Sequence, residues 1–242
     1  MVVDLCNRDV LRAGWEGRFS MAFGIFGKLP QKRDFIALNL PRAVLEPFET
    51  WLQSAVAVSR NELGPSWQDV YLVAPIWRFW IGSELLGTTC AGALMPSVDS
   101  VGRFFPLSVI YFAENGETIA PPPFDALDVW YFTVEERLLS VLNQNADIAV
   151  DRLTEGLSSP TSNIAAPAPQ PSRFKRGSLW RSDGGAASEV LSVLMSADYW
   201  DSMSGRSFWW TNGGSTSGPL IYVRNGLPDP QFYVNMIQGK VE

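Results

Sequence analysis

The 242-residue chain contains no histidine. Ser-His-Asp and Cys-His nucleophile systems, and every mechanism with an imidazole base, are thereby excluded. A zinc site would need about four ligands, and the only cysteines are Cys6 and Cys90. One lies in a polar N-terminal stretch and the other in the apolar run CAGALM, so a disulfide framework is not expected. Carboxylate, lysine and metal-carboxylate chemistry survive this count, but the expectation is a chain without metal, cofactor or catalytic residues.

Long apolar runs and positive charge are scarce as well. No stretch approaches the roughly 20 apolar residues needed to span a bilayer, so no direct membrane insertion is expected. Residues 1–20, MVVDLCNRDVLRAGWEGRFS, are too polar for a secretory signal and read as a disordered extension, with Met21 as an alternative start. The net charge is −6 and the pI about 4.8, against a nucleic-acid partner, because such binders cluster Lys and Arg on one face. Only Arg173, Lys175 and Arg176 form a short basic group. A cytoplasmic protein is the expectation.

What the chain does have is apolar and aromatic mass. Hydrophobic residues reach 46% against 18% charged, enough for a large core, and with 10 Trp and 14 Phe much of it must be aromatic. An apolar stretch at 22–26, closed by Gly27, reads as a buried strand. In LPRAVLEPFETWLQSAVAVSRNELG, Val44, Leu45, Phe48, Trp51, Leu52, Ala55, Val56 and Leu63 recur at helical spacing, with Pro47 near the first turn and a stop at Gly64-Pro65. Strands are predicted at 76–82, 90–95 and 106–113, a long helix around 127–142, and a short one over 146–156. Strands that follow one another without helices between them predict antiparallel pairing. Beyond 178 come a strand SLW, a helix near 186–197, the strands RSFWWT and PLIYVRN, and a last helix from Asp229 to Gln238.

The fold class is α+β: a central, mostly antiparallel sheet flanked by helices, compatible with a profilin- or longin-like arrangement, with a smaller C-terminal α/β segment. The expected organisation is an extension over 1–20, a main domain over 21–157, a Ser/Ala/Pro-rich linker over 158–177 and the C-terminal subdomain over 178–242.

Two loops carry most of the chemistry. GKLPQKRDF (27–35) sets Lys28, Lys32, Arg33 and Asp34 beside Gly27 and Pro30. A phosphate-binding loop needs G-x-x-x-x-G-K-[ST]. Here two residues separate Gly24 from Gly27, and Leu29 stands where the Mg²⁺-binding hydroxyl belongs, so the match fails on spacing and chemistry. The residues themselves read as a turn with Lys28, Lys32 and Arg33 solvated and Asp34 capping or pairing locally. In MPSVDSVGRFFPL (95–107), Asp99 and Arg103 are four apart beside Phe104 and Phe105. Two readings stay open: an exposed loop that docks a partner, or a buried pair fixing a tight connection between strands.

Other features read more blandly. GSTSG (214–218) mimics a nucleophile elbow around Thr216, but without histidine it is a turn. Glu135 and Glu136, and Asp229, sit on predicted helix faces without matched partners and read as solvated. Trp209 and Trp210 are adjacent in a strand, so one must leave the main core, either covered elsewhere in the chain or kept as an interaction anchor.

Taken together, FGKLPQKRDF, the helix that follows it, APIWRFWIG and AGALMPSVDSVGRFFPL resemble the N-terminal region of the TagF family of type VI secretion system-associated proteins. FWWTNG and NGLPDPQFYVNMIQG resemble the family's tail. The resemblance covers most of 21–239, most weakly between 145 and 178. Its motif positions are Gly27, Lys28, Leu29, Pro30 and Asp34; Trp77 and Arg78; Pro96, Ser97, Asp99, Gly102, Arg103 and Pro106; Trp209 and Trp210. One departure is Lys32-Arg33, where members often carry a small residue before the Asp.

The resemblance implies a non-enzymatic regulator that restrains assembly of the secretion apparatus after translation, in part through its forkhead-associated scaffold protein. Some members are fused to a PP2C-type phosphatase domain, which here would be a separate protein. The Gly, Pro and Trp positions are expected to hold the fold, and Lys28, Asp34, Asp99 and Arg103 to act. Two rivals remain: an enzyme using Asp34, Asp99 and Arg103 in metal-assisted phosphoryl or glycosyl chemistry, and a structural adaptor of the apparatus.

Overall fold

The computed structural model describes residues 22–114, 117, 119–142, 150–160, 172–174, 177–179, 187–214 and 218–240. The expected N-terminal extension, most of the linker, residues 146–149 of the expected short helix and the centre of the GSTSG turn lie outside these residues. In chain order the elements are β1 (Phe23–Gly27), β2 (Ile36–Leu38), α1 (Arg42–Leu63), α2 (Trp67–Leu72), β3 (Trp77–Ile81), α3 (Ser83–Leu86), β4 (Cys90–Met95) and β5 (Leu107–Phe112). They continue with α4 (Asp128–Ser140), β6 (Ser172–Phe174), β7 (Gly177–Leu179), α5 (Ala187–Asp201), β8 (Arg206–Thr211), β9 (Leu220–Asn225) and α6 (Phe232–Gln238). Short 3₁₀ turns cover Gly64–Ser66 and Val150–Leu153.

Seven strands make one open sheet in the order β2-β1-β5-β4-β3-β8-β9, with every neighbouring pair antiparallel. The chain is α+β, as its pattern predicts. Strands β6 and β7 pair separately. The C-terminal segment joins the rest through the sheet: Trp209 of β8 lies opposite Phe79 of β3, and Trp210 opposite Arg78.

Both faces of the sheet are covered, which explains why β1, β3, β4 and β5 are buried at every position and lack alternation. On one face α1, α2 and α6 enclose Phe26, Phe48, Trp51, Phe79, Ile110 and Trp209. On the other, α4 packs Trp130, Tyr131, Val134 and Leu138 against Ile25, Trp80, Val109 and Tyr111. The tail is tied to the first face by indole N–H groups: Trp51 donates to the Pro228 carbonyl (2.8 Å) and Trp77 to that of Met236 (2.9 Å). Pro47 lies inside α1 beyond its first turn, so it removes a backbone bond that the sequence placement had spared.

This two-sided core settles the tryptophan pair. Trp209 is fully buried against Trp51 and Phe79, with ring centroids 4.7 and 5.1 Å away. Trp210 faces the α4 side, half-buried, its ring edge-on to Tyr131 at 4.6 Å. The second tryptophan is covered within the chain by α4.

Candidate functional site

The two signature loops meet at one end of the sheet. GKLPQKRDF leaves β1 and returns as β2, while PSVDSVGRFFP joins β4 to β5, the strand beside β1. Gly27 marks the closest approach. Its φ is +131°, and a Cβ there would sit 1.9 Å from the Pro106 carbonyl oxygen, so only glycine lets β1 pair with β5 at this point. Leu29, Pro30, Gln31 and Lys32 then form a turn closed by the Lys32 N–H on the Leu29 carbonyl (3.1 Å), with Pro30 at its preferred second position. Gln31 reaches across to the Val141 carbonyl just past α4 (2.8 Å).

The second loop is organised by Asp99. Its Oδ1 accepts the backbone N–H groups of Val101 (3.1 Å) and Arg103 (2.8 Å), and the Gly102 N–H closes a turn onto the Asp99 carbonyl (3.0 Å). Gly102 supplies the left-handed conformation that turn needs, at φ +84°. Below the tip, Ser97 takes the Phe105 N–H on its carbonyl (3.0 Å), and its backbone N–H donates to the buried Tyr71 hydroxyl (3.0 Å).

The loops are joined by buried charge. Lys28 Nζ donates to Asp99 Oδ2 at 2.5 Å, and Arg103 Nε donates to the same oxygen at 2.7 Å. The Lys28 and Asp99 side chains are 4% and 0% exposed, whereas that of Arg103 is 57% exposed. Ser97 Oγ donates to the Lys28 carbonyl (2.7 Å), Ser100 N–H to the Lys32 carbonyl (3.1 Å), and an Arg103 Nη2 N–H to the Arg33 carbonyl. Burial alone would raise the Asp99 pKa, but the hydrogen bonds from Lys28, Arg103 and Val101 outweigh it and hold the carboxyl well below the usual carboxylate range.

The reading of a buried pair that fixes the connection holds for Asp99, while Arg103 reaches solvent. The expectation that Lys28 is solvated is corrected. Asp99, from a loop 71 residues away, neutralises it, and the Phe35 ring lies 4.6 Å from its ammonium. Asp34 is exposed and makes no ion pair among the described residues.

Outside this base stands a mixed surface. Phe35 is 49% exposed, its ring edge-on to Phe105 at 4.8 Å, and Val101 at the other loop's tip is 48% exposed. Arg33, two residues before Phe35, is exposed, and Arg103 is held by two of its own N–H groups. Arg60 borders the surface, donating to the Phe104 carbonyl (2.9 Å) over the Trp67 ring. Arg33, Phe35 and Val101 escaped the motif reading; the available signal was an aromatic directly after a charged turn.

Arg78 lies elsewhere, on the α4 face of β3, with its side chain 2% exposed. Its Nε and Nη2 fork onto Glu135 (2.8 and 2.9 Å), and Nη1 donates to Asp128 (3.1 Å). Burial would lower the guanidinium pKa, but the Glu135 hydrogen bond and the two carboxylates raise it. Glu135, read as solvated, is thus corrected to a bidentate partner that pins α4 to the sheet. Its seven-residue spacing from Asp128 puts both on one helix face, a signal the sequence did contain. Asp229 remains on the surface, accepting the Gln231 N–H (3.0 Å). Trp77, Pro96, Pro106 and Trp209 belong to the framework.

Chemically, the joined loops can bind but offer little reactivity. Asp99 has both oxygens occupied, and among the described residues no group of three His, Cys, Asp or Glu is placed to hold a metal ion.

The profile of the TagF N-terminal domain, type VI secretion system-associated, matches residues 24–159. The crystal structure of PA0076 from Pseudomonas aeruginosa PAO1 superposes with a TM-score of 0.70 at 30% identity, covering 91% of this chain and 96% of PA0076. Comparison with curated protein sequences gave no match.

Proposed function

The chain belongs to the family of the TagF N-terminal domain, type VI secretion system-associated, and from that premise we propose that it is a post-translational repressor of type VI secretion assembly. It acts by occupancy. Bound to the forkhead-associated scaffold protein, it blocks recruitment that building the machine requires. The cytoplasm, at the inner-membrane face of the apparatus, is the proposed place of action; among the described residues no helix is long and apolar enough to cross a membrane.

One observation carries the docking role. The signature loops satisfy their buried charges with each other and present Arg33, Phe35, Val101 and Arg103 on a braced base. Aromatic and arginine side chains of this kind are enriched at binding hot spots. The enzyme alternative finds no support in the same residues. Asp99 is sealed in an ion-pair cluster and Asp34 stands in solvent, so the two supply no matched acid and base.

The test is genetic. Deleting the gene raises secretion of a type VI substrate with unchanged transcript levels, and restoring the chain reverses it. Unchanged secretion overturns repression, and constant co-sedimentation with assembled sheath would favour a structural adaptor instead.

A further inference from the structure

We propose that the surface formed by Arg33, Phe35, Val101 and Arg103 takes an acidic segment of a protein partner, one in which Asp or Glu carboxylates are interspersed with apolar side chains. This inference rests on the docking role above and adds the chemistry of what docks.

Charge complementarity is the first support. The segments 27–35 and 95–106 hold Lys28, Lys32, Arg33 and Arg103 against Asp34 and Asp99; the buried Lys28 and Asp99 neutralise each other, which leaves Lys32, Arg33 and Arg103 against Asp34. The chain as a whole is at −6, so this is a positive surface on a negative protein, and Arg60 extends it. Such local contrast steers an acidic partner to this face and repels it from others.

Preorganisation is the second. Arg103 has its Nε held by Asp99 and one Nη N–H by the Arg33 carbonyl, while its side chain stays 57% exposed. A guanidinium carries five N–H donors, so the rest remain for an incoming carboxylate, and the orientation is already fixed. Less side-chain entropy is then lost on binding than for a free arginine. Arg33 has no such restraint among the described residues and adds charge at the rim.

The third is the apolar pair. Phe35 and Val101, each about half-exposed, flank the arginines and would be covered by the apolar side chains of the segment. A ligand that is only anionic leaves them wet.

Fluorescence anisotropy with the full chain tests this. The probe is a labelled 12-residue peptide of alternating Glu and Leu, run beside its Gln-Leu counterpart and a phosphothreonine peptide without Glu. The Glu-Leu peptide should bind, weakening about tenfold from 50 to 300 mM salt. Arg33→Glu should weaken it about tenfold, and Phe35→Ala should also weaken it. Arg42→Glu, with the same charge change at the start of α1, beyond the end of β2 opposite the loops, should do little. Equal binding of the Gln-Leu peptide, equal loss from Arg42→Glu, or no loss from Arg33→Glu overturns the proposal. Preferred binding of the phosphothreonine peptide overturns it in favour of a phosphate ligand. Secretion by the deletion strain is scored separately: if it does not rise, repression fails while acidic-peptide binding still stands or falls on anisotropy.

Discussion

Replacing Asp99 by alanine should cost about 3–5 kcal/mol, the range for breaking a buried ion pair by removing one partner. The Lys28 side chain is 4% exposed, so losing the carboxylate strands an ammonium where water hardly reaches. Arg103 loses its hold as well, but it is 57% exposed and can turn to solvent at small cost. The freed N–H groups of Val101 and Arg103 sit on exposed residues and can be hydrated. Lys28 therefore carries most of the penalty. Against a total stability of about 5–15 kcal/mol, the loss is large. Urea unfolding followed by tryptophan fluorescence should show the midpoint falling by roughly 1–2.5 M, for a slope near 2–3 kcal/mol per molar.

A second substitution makes the reasoning refutable. Lys28→Met keeps most of the apolar stem and removes the charge, so Lys28→Met with Asp99→Ala should recover about 2 kcal/mol of the single-variant loss. A single variant within about 0.5 kcal/mol of wild type, or a double variant that is merely additive, refutes the keystone role. Acid titration gives an independent check. Asp99 has a folded pKa below its unfolded value of about 4, so its contribution is complete above that pH and is lost as pH falls toward the folded value. Asp99→Asn should therefore lose less stability than wild type on going below about pH 4.

Other expectations follow from the same contacts. Gly27→Ala puts a Cβ 1.9 Å from the Pro106 carbonyl at φ +131°, and should cost about 3 kcal/mol or more. A melting temperature within about 2 °C of wild type would contradict it. Arg78→Lys cannot reproduce the fork onto Glu135 with a third contact to Asp128, and should cost about 2–3 kcal/mol by urea unfolding. A loss under about 0.5 kcal/mol would count against the tie. Burial pushes the Cys90 thiol up and closes it off, so in a Cys6→Ser background Ellman's reagent at pH 8 should react only after urea is added. Immediate reaction of the folded chain would refute that burial.

The fold was legible where its signal is local. Helix α1 shows its buried face in the 3-and-4 spacing from Val44 to Val56, and β3, β4 and β5 appear as apolar runs between turn residues. Short elements were not. Strand β2 has three residues and exists through its pairing with β1. Gly64-Pro65 does end α1 at Leu63, but helix α2 behind it was not legible: a 3₁₀ turn, whose first positions accept proline, leads the backbone to a restart at Trp67. At the site, Asp99 and Arg103 could be paired from their spacing. The burial of Lys28 could not, because its partner is 71 residues on. Arg78 and Glu135, 57 apart, escaped for the same reason.

The four residues expected to act thus divide by environment, and the division bears on how phenotypes should be read. Lys28 and Asp99 are internal, Arg103 bridges inside and outside, and Asp34 is external. A substitution at Lys28 or Asp99 alters docking by releasing the two loops from each other, so its effect should follow stability. Removing the stranded charge with the second substitution should restore part of the lost stability, while Arg103 still lacks its Asp99 anchor. Arg33 and Phe35 stand outside the ion-pair cluster, although Phe35 packs on Phe105 and Lys28. Arg33→Glu should leave the urea midpoint nearly unchanged while acidic-peptide binding falls. A loss of binding that tracked stability across both classes would mean that the loops shape the fold and present nothing. Loss at Arg33 without loss of stability separates presentation from scaffolding, and it does so within one nine-residue stretch, GKLPQKRDF.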